Sequence, residues 1–588
     1  MSTIHIRHSG ENATMRTTAR RLRHGLTYAA LAALPIGIAL LAAPTADAVT
    51  GNPVTDGSYG YVVKISTGTN ACSGALIAPS WVLTSASCIP DTTQPGAPAH
   101  PTTITVGRTD LTTNTGHVVQ ANAVIPRPDR NLALIRLATP VTDVTPIALA
   151  TTAPQAGDTI RLAGFGRTAT DWVPDQLHTS TATISTLDAT TLAVNSAGGP
   201  TTCKGDAGGP AIRETGNQPE VVALNHTSWQ NGCLGETETR TGATEARVDD
   251  LHDWLVTQTT SAIVGRYLDM GGAASSLGAP VGDQYTVAGG WGQNYQHGAL
   301  YDSPTTEVQM MGGPILAHYL ELGGPAALGF PINDESITPD GIGHYNHFSR
   351  SDGVSIYWTP NTGAHEIQGG IRDKWAALGW ETGIGYPTTD ESGTTDGVGR
   401  YNDFNLAAGA SIYWSPSSGA HEIQGLIRTE WLTIGAGPRI GYPTTDESTT
   451  PDGIGRYNHF NLAAGASIYW SPSSGAHEIQ GAIRDKWAAM GWEAGPGYPT
   501  TDESGTPDGV GRYNHFTNNT SIYFTPSTGA HAVAGTIRDT WASLGWERSG
   551  LGYPTSDEYS IPGGRRSDFQ HGNITWNASN NTTQVTYT

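Results

Sequence analysis

Three histidines, His365, His421 and His477, stand 56 residues apart, each inside the string Gly-Ala-His-Glu-Ile-Gln-Gly. Imidazoles at fixed intervals can act as ligands or pH switches. A histidine beside a turn more commonly caps local backbone, which is the expectation here. Acidic pairs such as Asp390-Glu391 recur at the same interval. They could hold calcium, but turn and helix capping is the simpler use. Twelve of the 16 tryptophans lie beyond residue 262, and flat aromatic faces suit sugar rings, so this region offers a lectin surface. Trp375, Trp431, Trp487 and Trp541 share a helical face with aliphatic residues and are expected in the core. Trp358, Trp414 and Trp470, on strands, are expected to pack as well. Tyr357, Tyr413, Tyr469 and Tyr523 point the other way and are the expected exposed sugar platforms. The four cysteines all precede residue 234 and include no Cys-x-x-Cys, so a metal site is not expected. No cofactor is implied.

Two kinds of chain must position these residues. Pro331, Pro387, Pro443, Pro499 and Pro554 each close a Gly-[Phe/Tyr]-Pro triplet that precedes an acidic pair, at intervals of 56, 56, 56 and 55. The spacing divides residues 259–588 into six units, about 262–313, 314–369, 370–425, 426–481, 482–535 and 536–588. Within one unit, Ile371, Trp375 and Leu378 follow i, i+4, i+7, and Gly379 suits the end of a short helix. Ser411-Ile412-Tyr413-Trp414 alternates like a strand, and residues 415–419 carry turn chemistry. Such an α+β unit is too small to bury its apolar side alone, so neighbours must stack. A ring and an open array both satisfy this, and a final unit with its helix near one end and a strand near the other leans toward closure. Residues 49–258 differ: short Val-, Thr-, Ala- and Ile-rich runs broken by Gly, Pro and Asp predict an all-β domain. The chain as a whole is expected to be mainly β.

Three blocks of the first domain carry a family likeness. Cys203-Lys204-Gly205-Asp206-Ala207-Gly208-Gly209-Pro210 resembles the GDSGGP signature of chymotrypsin- and trypsin-like (S1) proteases, with alanine at the serine. The segment 81–88 resembles the block ending TAAHC, with Ser87 at the histidine. The segment 131–137 resembles the block that opens on the catalytic aspartate, with Asn131 in its place. Asn225-His226-Thr227-Ser228-Trp229 and the stretch 250–255 resemble the substrate strand and the closing helix. The likeness implies a double β-barrel and disulfides Cys72–Cys88 and Cys203–Cys233. It also implies an oxyanion-type pocket from the N–H groups of Gly205 and Ala207, and a salt link from a new Val49 terminus to Asp206. Thr201 stands where such enzymes keep the acid that selects Arg or Lys, so no basic preference is implied. Serine proteolysis needs a nucleophilic oxygen, a base and a group orienting that base. Ser87, Asn131 and Ala207 supply none of these, so the expectation is a pseudoprotease, not an enzyme, whose groove holds a peptide strand.

The string Leu328-Gly329-Phe330-Pro331 resembles the LGFP repeats of secreted actinobacterial proteins, linked with cell-wall association. The joint architecture is similar to the trypsin-like lectin subunit of streptomycete umbrella toxin particles. That resemblance implies that residues 49–258 dock an adaptor protein and residues 259–588 bind a cell-surface or cell-wall glycan. Two competitors stand beside it: a peptide-binding pseudoprotease anchored to the producer's own wall, and a serine hydrolase with relocated catalytic groups.

Residues 1–48 read as a secretory signal peptide: Arg16, Arg20, Arg21 and Arg23, an apolar run from about Leu26 to Ala43, then Ala46-Asp47-Ala48. The run is too short for a membrane anchor, and no later one could span a bilayer. Secretion, with or without wall attachment, is therefore expected. The formal net charge is −21, and residues 1–48 hold five Arg against Glu11 and Asp47, leaving −24 on the remainder. A chain this acidic repels phosphate backbones, which argues against nucleic acid.

Overall fold

The computed structural model describes residues 51–588 except 52, 69, 128, 196–201 and 215–217. The expected signal peptide, Val49 and Thr201 lie outside the described residues.

The first half is a double β-barrel, as the sequence implies. Val62–Ser66, Ala71–Ala78, Trp81–Ser85, Thr103–Val106, His117–Arg127 and Leu132–Leu137 close the first barrel. Thr159–Gly164, His178–Leu187, Thr191–Asn195, Pro210–Arg213, Glu220–Ser228 and Ala243–Arg247 close the second, with Ala148–Leu149 added at one strand. The strand period of two sorts the apolar side chains. Val63, Ile65, Leu76, Val82 and Ile135 share one core, while Val62, Ala75, Trp81, Leu83 and Leu134 fall in another. Cys72 is bonded to Cys88 and Cys203 to Cys233.

No linker separates this domain from the repeats. The helix His252–Thr260 is followed, after Ser261 alone, by Ala262–Asp269. Ser261 caps that second helix, its Oγ accepting from the Val264 N–H at 3.3 Å and donating to Gln284 Oε1 at 2.6 Å. Ile263, Tyr267, Leu277, Tyr295 and Leu300 belong to the same core as Leu83, Leu134 and Leu224 of the barrels. The Ala273 N–H donates to the Pro95 carbonyl at 2.7 Å, and Arg136 pairs with Asp269 at 2.5 Å.

Each of the six units is a helix followed by a four-stranded antiparallel sheet. The helices are Ala262–Asp269, Gly313–Glu321, Gly369–Ala377, Gly425–Thr433, Gly481–Ala489 and Gly535–Leu544. Each of the five later helices packs on the hairpin before it and on the sheet after it, so every core joins one unit to the next. Trp375 shows why. Its ring lies 4.7 Å from Tyr357 of the preceding sheet and 5.7 Å from Phe404 of the following one. Its indole N–H donates to the Gly385 carbonyl at 3.1 Å. Trp431 and Trp487 repeat that bond to Gly441 and Gly497.

This sandwiching corrects one expectation. Strand alternation holds: Ile412 and Trp414 face the preceding helix, and Tyr413 meets Trp431 of the following one, 4.5 Å between centroids. Because a helix covers each side of the sheet, however, the second face is interior too. Tyr357, Tyr413, Tyr469 and Tyr523 are only 4%, 5%, 4% and 3% exposed. They are core residues, not surface platforms.

Polar ties repeat with the same period. Asn402, Asn458 and Asn514 are fully buried, and each donates to a carbonyl of the previous unit, Glu366, Glu422 and Glu478 respectively, at 3.0 to 3.1 Å. The Tyr386, Tyr442, Tyr498 and Tyr553 hydroxyls of the Gly-Tyr-Pro triplets bond Asp340, Asp396, Asp452 and Asp508 one unit back. His365, His421, His477 and His531 cap local turns through Nε2, on the carbonyls of Thr362, Ser418, Ser474 and Thr528. Asp390, Asp446, Asp502 and Asp557 cap no helix: each accepts the backbone N–H of a neighbouring unit's strand. Beside them lie Glu366, Glu422 and Glu478, buried and with Oε1 unpartnered. Burial, reinforced by Glu391, Glu447 and Glu503, pushes their carboxyls up to about 7, 8 and 8.

Two outcomes follow. Trp431→Ala removes a fully buried side chain between two sheets and should cost about 3–5 kcal/mol in the repeats, read as a lower denaturant midpoint. A carboxyl raised in the folded state binds more protons folded than unfolded, so stability falls as pH rises from about 4.5 to about 8. Glu422→Gln should flatten that decline in thermal melts taken across this range.

Candidate functional site

Ser87, Asn131 and Ala207, the three positions singled out in the sequence, lie close together in the first domain. Ser87 sits in the short turn Ala86–Cys88 after the buried strand Trp81–Ser85. Asn131 precedes the strand Leu132–Leu137 with φ of 50°, a conformation asparagine tolerates. Its carbonyl accepts the Ala86 N–H at 3.0 Å, and its Oδ1 accepts the Ser87 N–H at 2.9 Å. Its amide then donates to Nδ1 of His226 at 2.5 Å. An aspartate here could take the Ser87 N–H but could not donate to a neutral imidazole. Burial holds the His226 imidazole below its ordinary pKa, which keeps Nδ1 an acceptor. Ser87 Oγ bonds Ser85 Oγ at 2.7 Å. At the third position Ala207 presents a methyl group. Among the described residues, no serine, threonine or cysteine side chain is hydrogen-bonded to His226.

The backbone of the site is intact. Ser73 N–H donates to Ala207 O at 3.0 Å, Gly208 N–H to Asn225 O at 2.8 Å and Asn225 N–H to Gly209 O at 2.8 Å. Gly205 takes φ of 104°, where a glycine is required. The N–H groups of Gly205 and Ala207 have no hydrogen-bond partner among the described residues, which leaves them free to receive an oxygen. Asp206 is buried and accepts from the N–H groups of Gly166 and Cys203, both at 2.8 Å. Desolvation still lifts its carboxyl to about 6.

Sequence reasoning missed two neighbours. His226 reaches Asn131 only because the barrels close against each other. Glu245, on the strand Ala243–Arg247, is fully buried and neither oxygen forms a hydrogen bond. Desolvation and then the Asp206 charge push it up to about 8, the backbone of His226 pulling weakly the other way. Its signal was its place among the small residues of Ala243-Thr244-Glu245-Ala246. Along the substrate strand, a groove of about 260 Å³ is lined by Asn195, Thr227, Ser228, Trp229 and Gly242. Trp229 is exposed, with the Arg240 guanidinium 3.6 Å above its ring.

Double barrel and repeated units together define a trypsin-fold domain fused to a repeat array. The LGFP repeat family matches residues 277–326, 328–383, 384–437, 440–495, 497–549 and 551–587, and the trypsin family matches residues 48–255. The chain belongs to the LGFP-repeat proteins and carries an S1-type domain ahead of the repeats. That domain is 30% identical over 239 residues to mouse serine protease 56, and 28% identical over 252 residues to a trypsin-like protease of Streptomyces glaucescens. The first match takes in 36% of this chain and 38% of the mouse protein, the second 37% and 90%. The solved structure of mouse neuropsin, a serine protease, overlies 36% of this chain and 98% of its own at 19% identity, with a TM-score of 0.31.

Ala207→Ser alone should leave the protein unlabelled by a fluorophosphonate serine probe, since Ser87 stands where the resemblance puts the histidine base and the one free acceptor nitrogen of His226 is taken by Asn131. The combined S87H, N131D and A207S variant should label at least about 10²-fold faster, because the surrounding backbone is already in place.

Proposed function

We propose that the chain is a secreted, non-catalytic binding protein. Its pseudoprotease domain docks a partner protein, and its repeats attach to a cell-surface glycan, as in the lectin subunit of an antibacterial umbrella toxin complex. The observation that carries the non-catalytic reading is the Asn131 network. Both ends of its amide are engaged, by the Ser87 N–H and by His226, where a protease needs a carboxylate holding a histidine base. The groove beside Trp229 and the free N–H pair at Gly205 and Ala207 support strand-like capture of a partner segment that is not cut. A mature Val49 ammonium paired with Asp206 would complete this domain on export.

A hydrolase with relocated groups is the second reading, favoured by one feature, the neutral His226 in the centre of the site. Against it, among the described residues the hydroxyl of Ser87 bonds only that of Ser85. Its signature would be probe labelling of the wild-type chain that persists through repurification.

Affinity purification of the tagged protein from its native culture supernatant, with mass spectrometry of what accompanies it, separates the remaining alternatives. Stoichiometric adaptor and a large toxin-bearing chain are expected. A protein recovered alone, its bulk bound to the producer's own purified wall, would instead make it a self-anchored pseudoprotease.

A further inference from the structure

Two cavities in the repeat array have the same lining, moved by one unit. One of about 410 Å³ is bordered by Gly369, Ile371, Glu391, Arg400 and Trp414, and one of about 310 Å³ by Gly425, Ile427, Glu447, Arg456 and Trp470. Each opens where a helix begins against the sheet that follows it in the same unit. Strand register builds the wall: Arg400 stands directly opposite Trp414, and Arg456 opposite Trp470. On the other side Trp414 faces Ala420 and Trp470 faces Ala476. A methyl group cannot cover an indole, so both rings stay half-buried. Their indole N–H groups make no hydrogen bond among the described residues, unlike those of Trp375, Trp431 and Trp487.

The charged pair is built the same way at each step. Glu391 and Glu447 are almost wholly buried, each 6% exposed at the side chain, and hold arginines that are 45% and 47% exposed. Further along, Arg512 with Glu503 stands opposite Phe524, and Arg565 with Glu558 opposite Trp576. One unit earlier, His344 bonds Glu335 at 2.9 Å opposite Trp358. The motif thus occurs in five successive units as one aromatic ring, one hydrogen-bond donor and one carboxylate, the carboxylate almost wholly buried in the middle three and partly buried at Glu335 and Glu558.

We propose that these pockets are the sugar sites of the array, each taking one neutral hexopyranose ring of a polysaccharide. The aromatic face lies against the C–H face of the ring. The guanidinium donates to one hydroxyl while the carboxylate accepts from its neighbour. The chemistry selects against an acidic sugar: each arginine is already neutralised by its glutamate, and the strongly negative chain repels polyanions. A donor and an acceptor side by side fit a vicinal diol. Single sites of this kind are weak, and repetition along one polymer supplies avidity. The inference rests on the glycan-binding reading above and names its residues and ligand class.

The test is affinity electrophoresis of the full chain in native gels containing dextran, galactomannan or arabinogalactan, with hyaluronate and polygalacturonate as acidic counterparts. Retention on purified bacterial cell walls is measured in parallel. Retardation by at least one neutral polymer is expected. W414A/W470A and R400Q/R456Q should each weaken it at least about tenfold. W414F/W470F should keep part of it, since phenylalanine already serves at position 524. I454A, an exposed position away from the pockets, should leave it unchanged. Thermal melts of each variant identify any loss that comes from unfolding. Undiminished retardation of the folded tryptophan and arginine variants overturns the site, as does retardation by the acidic polymers alone. Wall retention of the wild type without retardation by any neutral polymer overturns the ligand class but leaves glycan binding standing. Loss of both overturns glycan binding itself.

Discussion

The burial of one tryptophan between two successive sheets is the constraint on which the repeat half depends. A unit of about 56 residues cannot remove enough apolar surface from water by itself. Its helix resolves this by serving two sheets at once, with Trp375, Trp431 or Trp487 at the centre and aromatic rings on either side. Stability is therefore a property of junctions rather than of units, as expected of quasi-linear repeats. The buried asparagines and the Tyr–Asp bonds cross the same junctions. They fix the register of each unit on the next where apolar packing alone would allow sliding.

The first domain shows the complementary situation, a polar cluster held between two apolar barrels. Asn131 satisfies on one side a backbone N–H and on the other an imidazole, so the cleft contains no uncompensated charge at the vacated centre. The tension lies deeper, in Asp206 and the unpartnered Glu245, two carboxyls sharing a dry interior. Burying such groups costs stability.

Much of this was legible in advance. The i, i+4 spacing of Ile371 and Trp375 located a helix and its buried face. The five Gly-[Phe/Tyr]-Pro triplets located the units, and the blocks around Ser87, Asn131 and Ala207 located the barrels and both disulfides. What escaped was whatever depends on a neighbour. Period two separates Tyr413 from Ile412, but it does not say that a second helix covers the far side. Trp414 read as core, because the alanine opposite it is seen only once the strands are in register. His226 and Glu245 acquire meaning only when two barrels close around them.

Residues 404–425 and 460–481 are identical, a mark of recent internal duplication. Because the first unit shares its core with the barrels and every later one repeats a single junction, such a copy acts as a cassette. Duplication adds one more junction of the same kind, and deletion removes one. The number of units is thereby free to change through recombination between near-identical segments, without a single substitution in the cleft.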